Sequence, residues 1–415
     1  MARLIGAPRI EVFWLLAMLE LNNYETLVAA SLVLLVGRKL LQVTPPLRTF
    51  NIPEPVVGGL VVALCLALAR FTADVQVKFD TAAQTPLMLA FFATLGLSAN
   101  LASLKQGGKS IGIFLFAVAG LLVIQDAIGV GLASALGLHP ATGLLAGSIA
   151  LSGGHGTSAA WGTTFGEQFG MTYATELGVA CATFGLVLGG LIGGPVARYL
   201  LRNVAKPGLA AGDDRVLNFE NPQAVRPITA SALIETLALI LVCLTAGQAL
   251  GDLFKGSWLE LPTFVWVLFV GVLLRNGLAL LGWYTVFDRA LSVLGNVSLS
   301  MFLAMALMSL RLWELTSLAL PMLLILLVQT GAMAAYAIFV TFRIMGRNYD
   351  AAVLAAGHCG FGLGATPTAI ANMQAITDRY GPSHLAFLIV PMVGAFFIDI
   401  VNAVVIKLFL SLPVY

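Results

Sequence analysis

Charged residues are scarce in this sequence. Only 10% of its 415 residues are Asp, Glu, Lys or Arg, whereas soluble globular domains contain about 25%. The net charge is +2 and no basic cluster stands out, so we expect no nucleic-acid partner. This shortage of charge excludes an ordinary soluble domain.

Cysteine and histidine are also rare, with four residues of each. Cys65, Cys181, Cys243 and Cys359 stand singly in apolar surroundings. They form neither a disulfide framework nor a metal-binding spacing, and the histidines are too few for a metal centre. We interpret the cysteines as small apolar packing residues.

Long apolar runs are what the chain has in abundance. It is 59% hydrophobic, its mean hydropathy is +0.95, and many runs approach the roughly 20 residues that a membrane-spanning helix needs. The sequence therefore predicts an all-α polytopic membrane protein. The predicted spans are 26–43, 53–70, 82–104, 111–138, 173–201, 228–254, 262–281, 289–312, 314–345 and 383–412.

One long polar stretch, 202–227, divides the chain and is interpreted as a linker. The first half is then 26–201 and the second 228–415. Residues 1–25 form a lead-in whose apolar patch is too short to span a bilayer. A cleaved signal peptide is the alternative, although no clear small-residue cleavage site follows the patch.

The two halves resemble each other in three places. Segment 87–98 can be aligned with 298–309, and similar apolar runs precede Gln125 and Gln329. A glycine-rich break follows each of these glutamines after a similar distance. We predict two repeats of five transmembrane helices, and an odd number of crossings makes them inverted.

The orientation is predicted from lysine and arginine, which favour the cytoplasmic side. Of the 22 such residues, 15 fall on the linker side of the predicted membrane. The linker is therefore predicted to be cytoplasmic and both termini periplasmic. The other seven are Arg3, Arg9, Arg70, Lys78, Lys255, Arg311 and Lys407.

Two glycine-rich breaks, centred on Gly154 and Gly360, lie 206 positions apart. Each lies in a segment too short for two spans, 140–161 and 349–376, and we predict a re-entrant hairpin at each. Non-helical backbone at membrane depth survives only where protein or a wet cavity covers it. Matching breaks in two halves point to a transporter's binding site.

The hairpin tips combine free backbone groups with hydroxyls. Glycine lets backbone approach a ligand closely, and the N-terminus of a half-helix favours an anion. The alternative is that glycine only permits close helix packing, which is our interpretation of Gly185, Gly189, Gly190, Gly193 and Gly194. The predicted substrate-binding residues are Ser152, Gly153, Gly154, His155, Gly156, Thr157, Gly360, Phe361, Gly362, Gly364, Thr366 and Thr368.

A cation site is predicted beside the second hairpin. Asp399 and Asn402 are one helical turn apart and share a face, which suits a hard cation such as Na⁺. Carbonyl and hydroxyl oxygens of Gly360 and Thr366 are further candidate Na⁺ ligands. The rival interpretation makes Asp399 a proton carrier.

Other ionisable residues leave alternatives open. Asp126 lies mid-helix and could bind a cation, carry a proton or line the cavity, whereas Glu176 and Glu235 lie nearer helix ends, where carboxylates are ordinary. His155 and His358 flank the tips as substrate donors or as structural histidines.

Three other functions compete with a Na⁺-coupled carrier. A channel could also have two opposed re-entrant loops. Ser152 and His155 suggest an intramembrane enzyme, but one hydroxyl and one imidazole in a glycine-rich tip are weak grounds for catalysis. A proton-coupled amino-acid or dicarboxylate carrier is the nearest alternative. We predict a transporter and not an enzyme.

Five long motifs make the chain similar to the bacterial sodium/glutamate symporter family. The resemblance runs from Met18 to the C-terminus, and residues 1–17 depart from it. Asp126 stands where the family pattern leads us to expect Asn. The motifs are PEPVVGG at 53–59, PLMLAFFAT at 86–94, LSGGHGT at 151–157, ACATFGLVLGGLIGGP at 180–195 and AGHCGFGLGATPTAIAN at 356–372.

The resemblance implies Na⁺-coupled uptake of L-glutamate across the bacterial inner membrane. It also implies kinship with the sodium:citrate carriers, and hence inverted repeats, two re-entrant hairpins and a homodimer in the lipid bilayer. An elevator-like motion of a transport domain against a scaffold is a further expectation of that kinship.

Overall fold

The computed structural model describes residues 18–49, 52–73, 75–205, 227–257, 260–309 and 318–413. The predicted linker and residues 1–17 of the predicted lead-in therefore lie almost wholly outside the described residues. The main helices are α1 Asn23–Val43, α2 Glu54–Ala73, α3 Gln84–Ser98, α4 Ser103–Ala135, α5 Pro140–Leu144, α6 Gly154–Phe169, α7 Ala174–Leu200, α8 Ala230–Leu253, α9 Thr263–Leu281, α10 Asp288–Met308, α11 Ala319–Tyr336, α12 Tyr349–Leu363, α13 Thr366–Tyr380, α14 His384–Met392 and α15 Ile398–Leu410.

Eight helices in the described ranges are long and apolar enough to cross a membrane. They are α1, α2, α4 from Gly108 onward, α7, α8, α9, α10 and the α11 segment continued to Ile344. This confirms the predicted all-α polytopic class. Two of the ten predicted spans differ: α3 has only 15 residues, and α14 and α15 are separated by a π-helical turn, Val393–Phe397.

The order of elements is the same in the two halves. Helices α1 to α4, a broken hairpin and α7 are followed by α8 to α11, a second broken hairpin and the α14–α15 segment. The inversion of one half relative to the other stays a prediction.

A small sheet departs from the all-α expectation. Strand β1 (Met18–Leu21) pairs in parallel with β2 (Gln76–Phe79), with Met18 opposite Gln76. Lys78 Nζ lies 3.0 Å from Glu20 Oε1 across the pair. Helix α1 then begins with a capping box, in which Asn22 and Glu25 each bind the other's backbone N–H, the reciprocal arrangement that satisfies free donors at a helix start.

The chain packs as two compact units. The first contains residues 1–88 and 298–317, and its core is Ala30, Val33, Ala304, Met305 and Met308. Within it α1 and α2 cross at two glycines. A Cβ added at Gly37 would meet the carbonyl oxygen of Glu54, and one at Gly58 that of Val33, so small residues set this helix spacing.

The second unit contains residues 89–297 and 318–415 and holds both broken hairpins. Helix α7 packs on the second hairpin through glycines: a Cβ at Gly185 would meet Leu363 O, one at Gly189 would lie 3.0 Å from Cys359 O, and one at Gly193 would overlap the Asn372 side chain. These three have the predicted packing role. Gly194 does not, since an added Cβ there meets nothing within 4 Å.

Helices α3 and α9 of this unit are held at another glycine crossing. A Cβ at Gly96 would meet Leu268 O, and one at Gly271 would lie 2.9 Å from the Cα of Gly96. Arg275 closes one end of the crossing by donating to Leu97 O at 3.2 Å. The two backbones can approach only while these positions lack a side chain.

We expect Gly96→Leu to destabilise the protein by roughly 1–3 kcal/mol, the usual cost of overpacking. The change should lower the yield of monodisperse detergent-solubilised protein and its melting temperature. Gly131→Leu is the matched control, because an added Cβ at Gly131 meets nothing within 4 Å. Equal stability of the two variants would contradict close packing at Gly96.

Candidate functional site

The first hairpin is a helix that breaks twice before it turns back. Helix α5 passes into a π-helical turn, Leu145–Ile149, where Gly147 has non-helical φ and ψ of −101° and −134°. Ser152 and Gly153 form the turn, and α6 begins at Gly154, whose φ of +70° favours glycine. The second arm continues to Phe169, past the predicted end at 161.

The second hairpin turns at Gly364 and Ala365, of which Ala365 is extended. Gly364 and Ala365, with φ of −148° and −155°, separate α12 from α13. The Gly360 carbonyl accepts the N–H groups of both residues, and a Cβ at Gly360 would lie 2.5 Å from the Cα of Ala369. The second arm ends at Tyr380, past the predicted end at 376.

The two tips lie against each other. An added Cβ at Gly154 would be 3.5 Å from Gly364 O, and Ser152 Oγ lies 3.2 Å from Gly362 O. The structure thus brings together residues separated by half the chain. Helices α6 and α13 both begin at this contact, and the first N–H groups of a helix have no partner within it.

Gln125 of α4 bridges the two tips. Its Nε2 donates to Gly362 O at 2.7 Å, and its Oε1 accepts from Ser152 Oγ at 2.7 Å. Gln329 of α11 in turn donates to the backbone carbonyl of Gln125 at 2.6 Å. We call Gln125, Ser152, Gly362 and Gln329 the tip clasp.

Sequence reasoning used Gln125 and Gln329 only as markers of the repeat and did not assign them to the site. Both side chains are buried, at 1% and 0% exposure. A glutamine in the middle of an apolar helix needs a polar partner, and that signal could have identified both.

Asp126 is fully buried beside the first hairpin. Its two carboxylate oxygens accept from the backbone N–H of Ser148 at 2.8 Å and from the Ser148 hydroxyl at 3.0 Å. Asn402 Nδ2 donates to Ser148 O at 3.1 Å. The π-helical turn that holds Ser148 is therefore fixed from both sides, which favours a structural role for Asp126.

Asp399 differs from Asp126 in the hydrogen bonding of its carboxylate. Among the described residues its carboxylate has no hydrogen-bond or ion-pair partner. It lines a small cavity of about 10 Å³ together with Thr157 of the first hairpin and Trp161. One turn along α15, Asn402 Oδ1 is buried and has no hydrogen-bond partner in the described part of the chain. These oxygens have the chemistry of ligands for a hard cation.

The two other predicted cation ligands are already engaged. The Gly360 carbonyl accepts two N–H groups, which leaves it little capacity for a cation. Thr366 Oγ1 donates to Gly394 O at 2.7 Å, although its lone pairs stay available.

The two tip histidines differ in their surroundings. His155 Nε2 lies 3.0 Å from the hydroxyl of Thr183 on α7 and is half-buried. His358 is fully buried, and its Nδ1 lies 2.9 Å from Thr341 Oγ1. The Phe361 ring stacks on His358 with centroids 5.1 Å apart, so His358 and Phe361 pack together in the protein interior.

The remaining predicted residues support the tips. Gly153 has no room for a side chain, since a Cβ would lie 2.6 Å from Ile149 O. Gly156 and Thr157 are buried in the first turns of α6. Thr368 is buried in α13, and its hydroxyl has no partner in the part of the chain that the structure describes.

The family model described as Sodium/glutamate symporter matches residues 19–382. The chain belongs to the sodium/glutamate symporter family. Members of the sodium/glutamate symporter family are transporters, not enzymes.

Curated relatives match nearly the whole chain. The Sodium/glutamate symporter of Escherichia coli strain K12 is 65% identical over 399 residues, which are 96% of this chain and 100% of that protein. The Shigella flexneri protein of the same name matches to the same extent. The Haemophilus influenzae Sodium/glutamate symporter is 57% identical over 390 residues, 93% of this chain and 96% of that protein.

We expect Gln125→Leu to separate the tips and to lower transport strongly. The change leaves the buried Gly362 carbonyl without its main donor, which costs roughly 1–3 kcal/mol. Initial uptake rate and melting temperature would measure the effect. Gln248→Leu on α8 is the control, because that glutamine is exposed. Unchanged uptake by Gln125→Leu would show that the tip clasp has no part in function.

Proposed function

We propose that this protein is a secondary active transporter that carries L-glutamate into the cell together with Na⁺. The observation that carries the proposal is the contact between two half-helix tips in a member of the sodium/glutamate symporter family. The names of its relatives support both transported species.

The proposed glutamate site is the contact between the tips. Glutamate has two carboxylates and one ammonium group, so it needs donors and acceptors from different directions. The starts of α6 and α13 offer backbone N–H groups and positive dipole ends. No Arg or Lys lies between 139 and 170 or between 348 and 378, so we infer that backbone N–H groups of the tips hold the carboxylates.

The proposed Na⁺ site lies at the cavity that Asp399 and Thr157 line, with Asn402 one helical turn along α15 as a further candidate ligand. Asp399 supplies a carboxylate and the other two supply neutral oxygens, the ligand type that hard cations take. Because Thr157 belongs to the first hairpin and Asp399 to α15, a cation there would tie these elements together. Gly360 is a weaker candidate, since its carbonyl already accepts twice.

We propose two inverted repeats with re-entrant hairpins, both termini periplasmic, and a homodimer in the bacterial inner membrane. The repeated element order and the lysine and arginine asymmetry support the repeats and the orientation. Alternating access would proceed by an elevator-like movement of the hairpin-bearing unit.

The proposed function is tested by uptake of labelled L-glutamate into proteoliposomes with Na⁺ and proton gradients imposed separately. We expect an inward Na⁺ gradient to drive accumulation without any proton gradient. Empty liposomes and choline medium are the controls. Equal accumulation in choline medium under a proton gradient alone would instead establish a proton-coupled carrier.

Two isosteric substitutions should distinguish the roles of Asp399 and Asp126. Asp399→Asn should lower the apparent Na⁺ affinity of uptake by about tenfold, or about 1.4 kcal/mol, because it removes the unpaired negative charge. Asp126→Asn should have little effect, since an asparagine can still accept from Ser148 N–H and donate to its hydroxyl. Uptake should be measured against Na⁺ concentration at saturating glutamate. A reversed ranking would place the cation at Asp126.

A further inference from the structure

A groove opens on the outer face of the second unit, between the start of α4 and the end of the α11 segment. Its volume is about 520 Å³, and its walls are almost wholly apolar. Its lining includes Lys109, Gly112, Phe116, Tyr336, Val340 and Ile344.

The groove owes its depth to Gly112, which has no side chain. Gly112 lies on its floor, and a Cβ added there would meet nothing within 4 Å. Phe116 stands at its edge with 79% of its surface exposed. Tyr336, Val340 and Ile344 follow one another at four-residue intervals and form a single face of the opposite wall.

One end of the groove is positively charged. Lys109 lines it and is exposed, one residue after the membrane-spanning part of α4 begins at Gly108. Arg343 and Arg347 flank the lining residue Ile344 in sequence. No Asp or Glu occurs between 108 and 125 or between 318 and 349 to offset this charge.

We propose that this groove binds an anionic phospholipid. Lys109 lies at the end of the span, where lipid phosphates are found, and contacts the phosphate, while an acyl chain lies along Gly112, Phe116 and Val340. Basic pockets between transmembrane helices are sites of this kind, and a lysine stem can cover apolar surface while its ammonium reaches the head group.

The wall of the groove leads to the second hairpin. The Tyr336 hydroxyl donates to Ala117 O at 2.7 Å, and the Tyr336 ring centroid lies 6.1 Å from that of His358 on α12. A bound acyl chain is therefore separated from the hairpin by one layer of side chains. The proposal concerns the lipid alone and is independent of the transported substrate.

The test is lipid binding to the purified full-length protein, measured by native mass spectrometry and by the shift in melting temperature. The probes are phosphatidylglycerol, phosphatidylcholine with the same acyl chains, and glycerol phosphate without acyl chains. Variants Lys109→Gln and Gly112→Leu are compared with matched controls Arg198→Gln and Gly131→Leu. Arg198 is an exposed cation near the end of α7, and Gly131 has open space on the same helix as Gly112.

We expect the wild-type protein and both controls to bind phosphatidylglycerol more tightly than phosphatidylcholine. Lys109→Gln should weaken phosphatidylglycerol binding about fivefold, the effect of one interfacial cation, and leave phosphatidylcholine unchanged. Gly112→Leu should fill the groove and weaken both lipids. Equal binding of the two lipids, or an unchanged Lys109→Gln, overturns the proposal, and so does binding of glycerol phosphate as tight as that of the lipid. Lys109 is an exposed surface residue, so we expect Lys109→Gln to fold. Lipid binding by Lys109→Gln therefore tests the proposal even if Gly112→Leu folds poorly.

Discussion

A single buried carbonyl, that of Gly362, sets the main constraint on this fold. It lies near the end of α12, where the helix breaks and can no longer satisfy it from within. In a membrane protein no water reaches such a group unless a cavity admits it. Gln125 supplies the missing donor from another helix. The same amide accepts from Ser152, so the donor that satisfies the second hairpin also positions the first.

Three π-helical turns in the described residues also supply polar partners to residues of the two hairpins. Leu145–Ile149 presents Ser148 to Asp126, Ala337–Thr341 presents Thr341 to His358, and Val393–Phe397 presents the Gly394 carbonyl to Thr366. A π-turn frees or redirects backbone groups inside a helix, which is why such turns are common at functional sites. Each one here gives a hairpin residue a polar partner from a neighbouring element.

Much of this architecture could be predicted from the sequence because lipid imposes long apolar runs. Those runs located most helices, and the glycine clusters located both hairpin tips. The π-turns could not be predicted, since one extra residue in a helix barely changes its apolar periodicity. The pairing in the tip clasp was missed for another reason: a buried glutamine signals that it needs a polar partner, but the partner of Gln125 is a backbone carbonyl 237 positions away, which the sequence does not mark. The β1–β2 pair was missed because four-residue strands are too short for a clear alternation.

The contrast between Asp126 and Asp399 suggests why transport of glutamate would require a cation. Asp126 has both oxygens engaged by Ser148, so it needs no ligand to complete it. Asp399 has no such partner, and it borders a cavity that also reaches Thr157 of the first hairpin. Bringing anionic glutamate to neutral tips near an unpaired carboxylate is electrostatically unfavourable in a low-dielectric interior. A Na⁺ ion beside Asp399 would remove that repulsion and draw Thr157 toward it, so that each transported species favours the binding of the other.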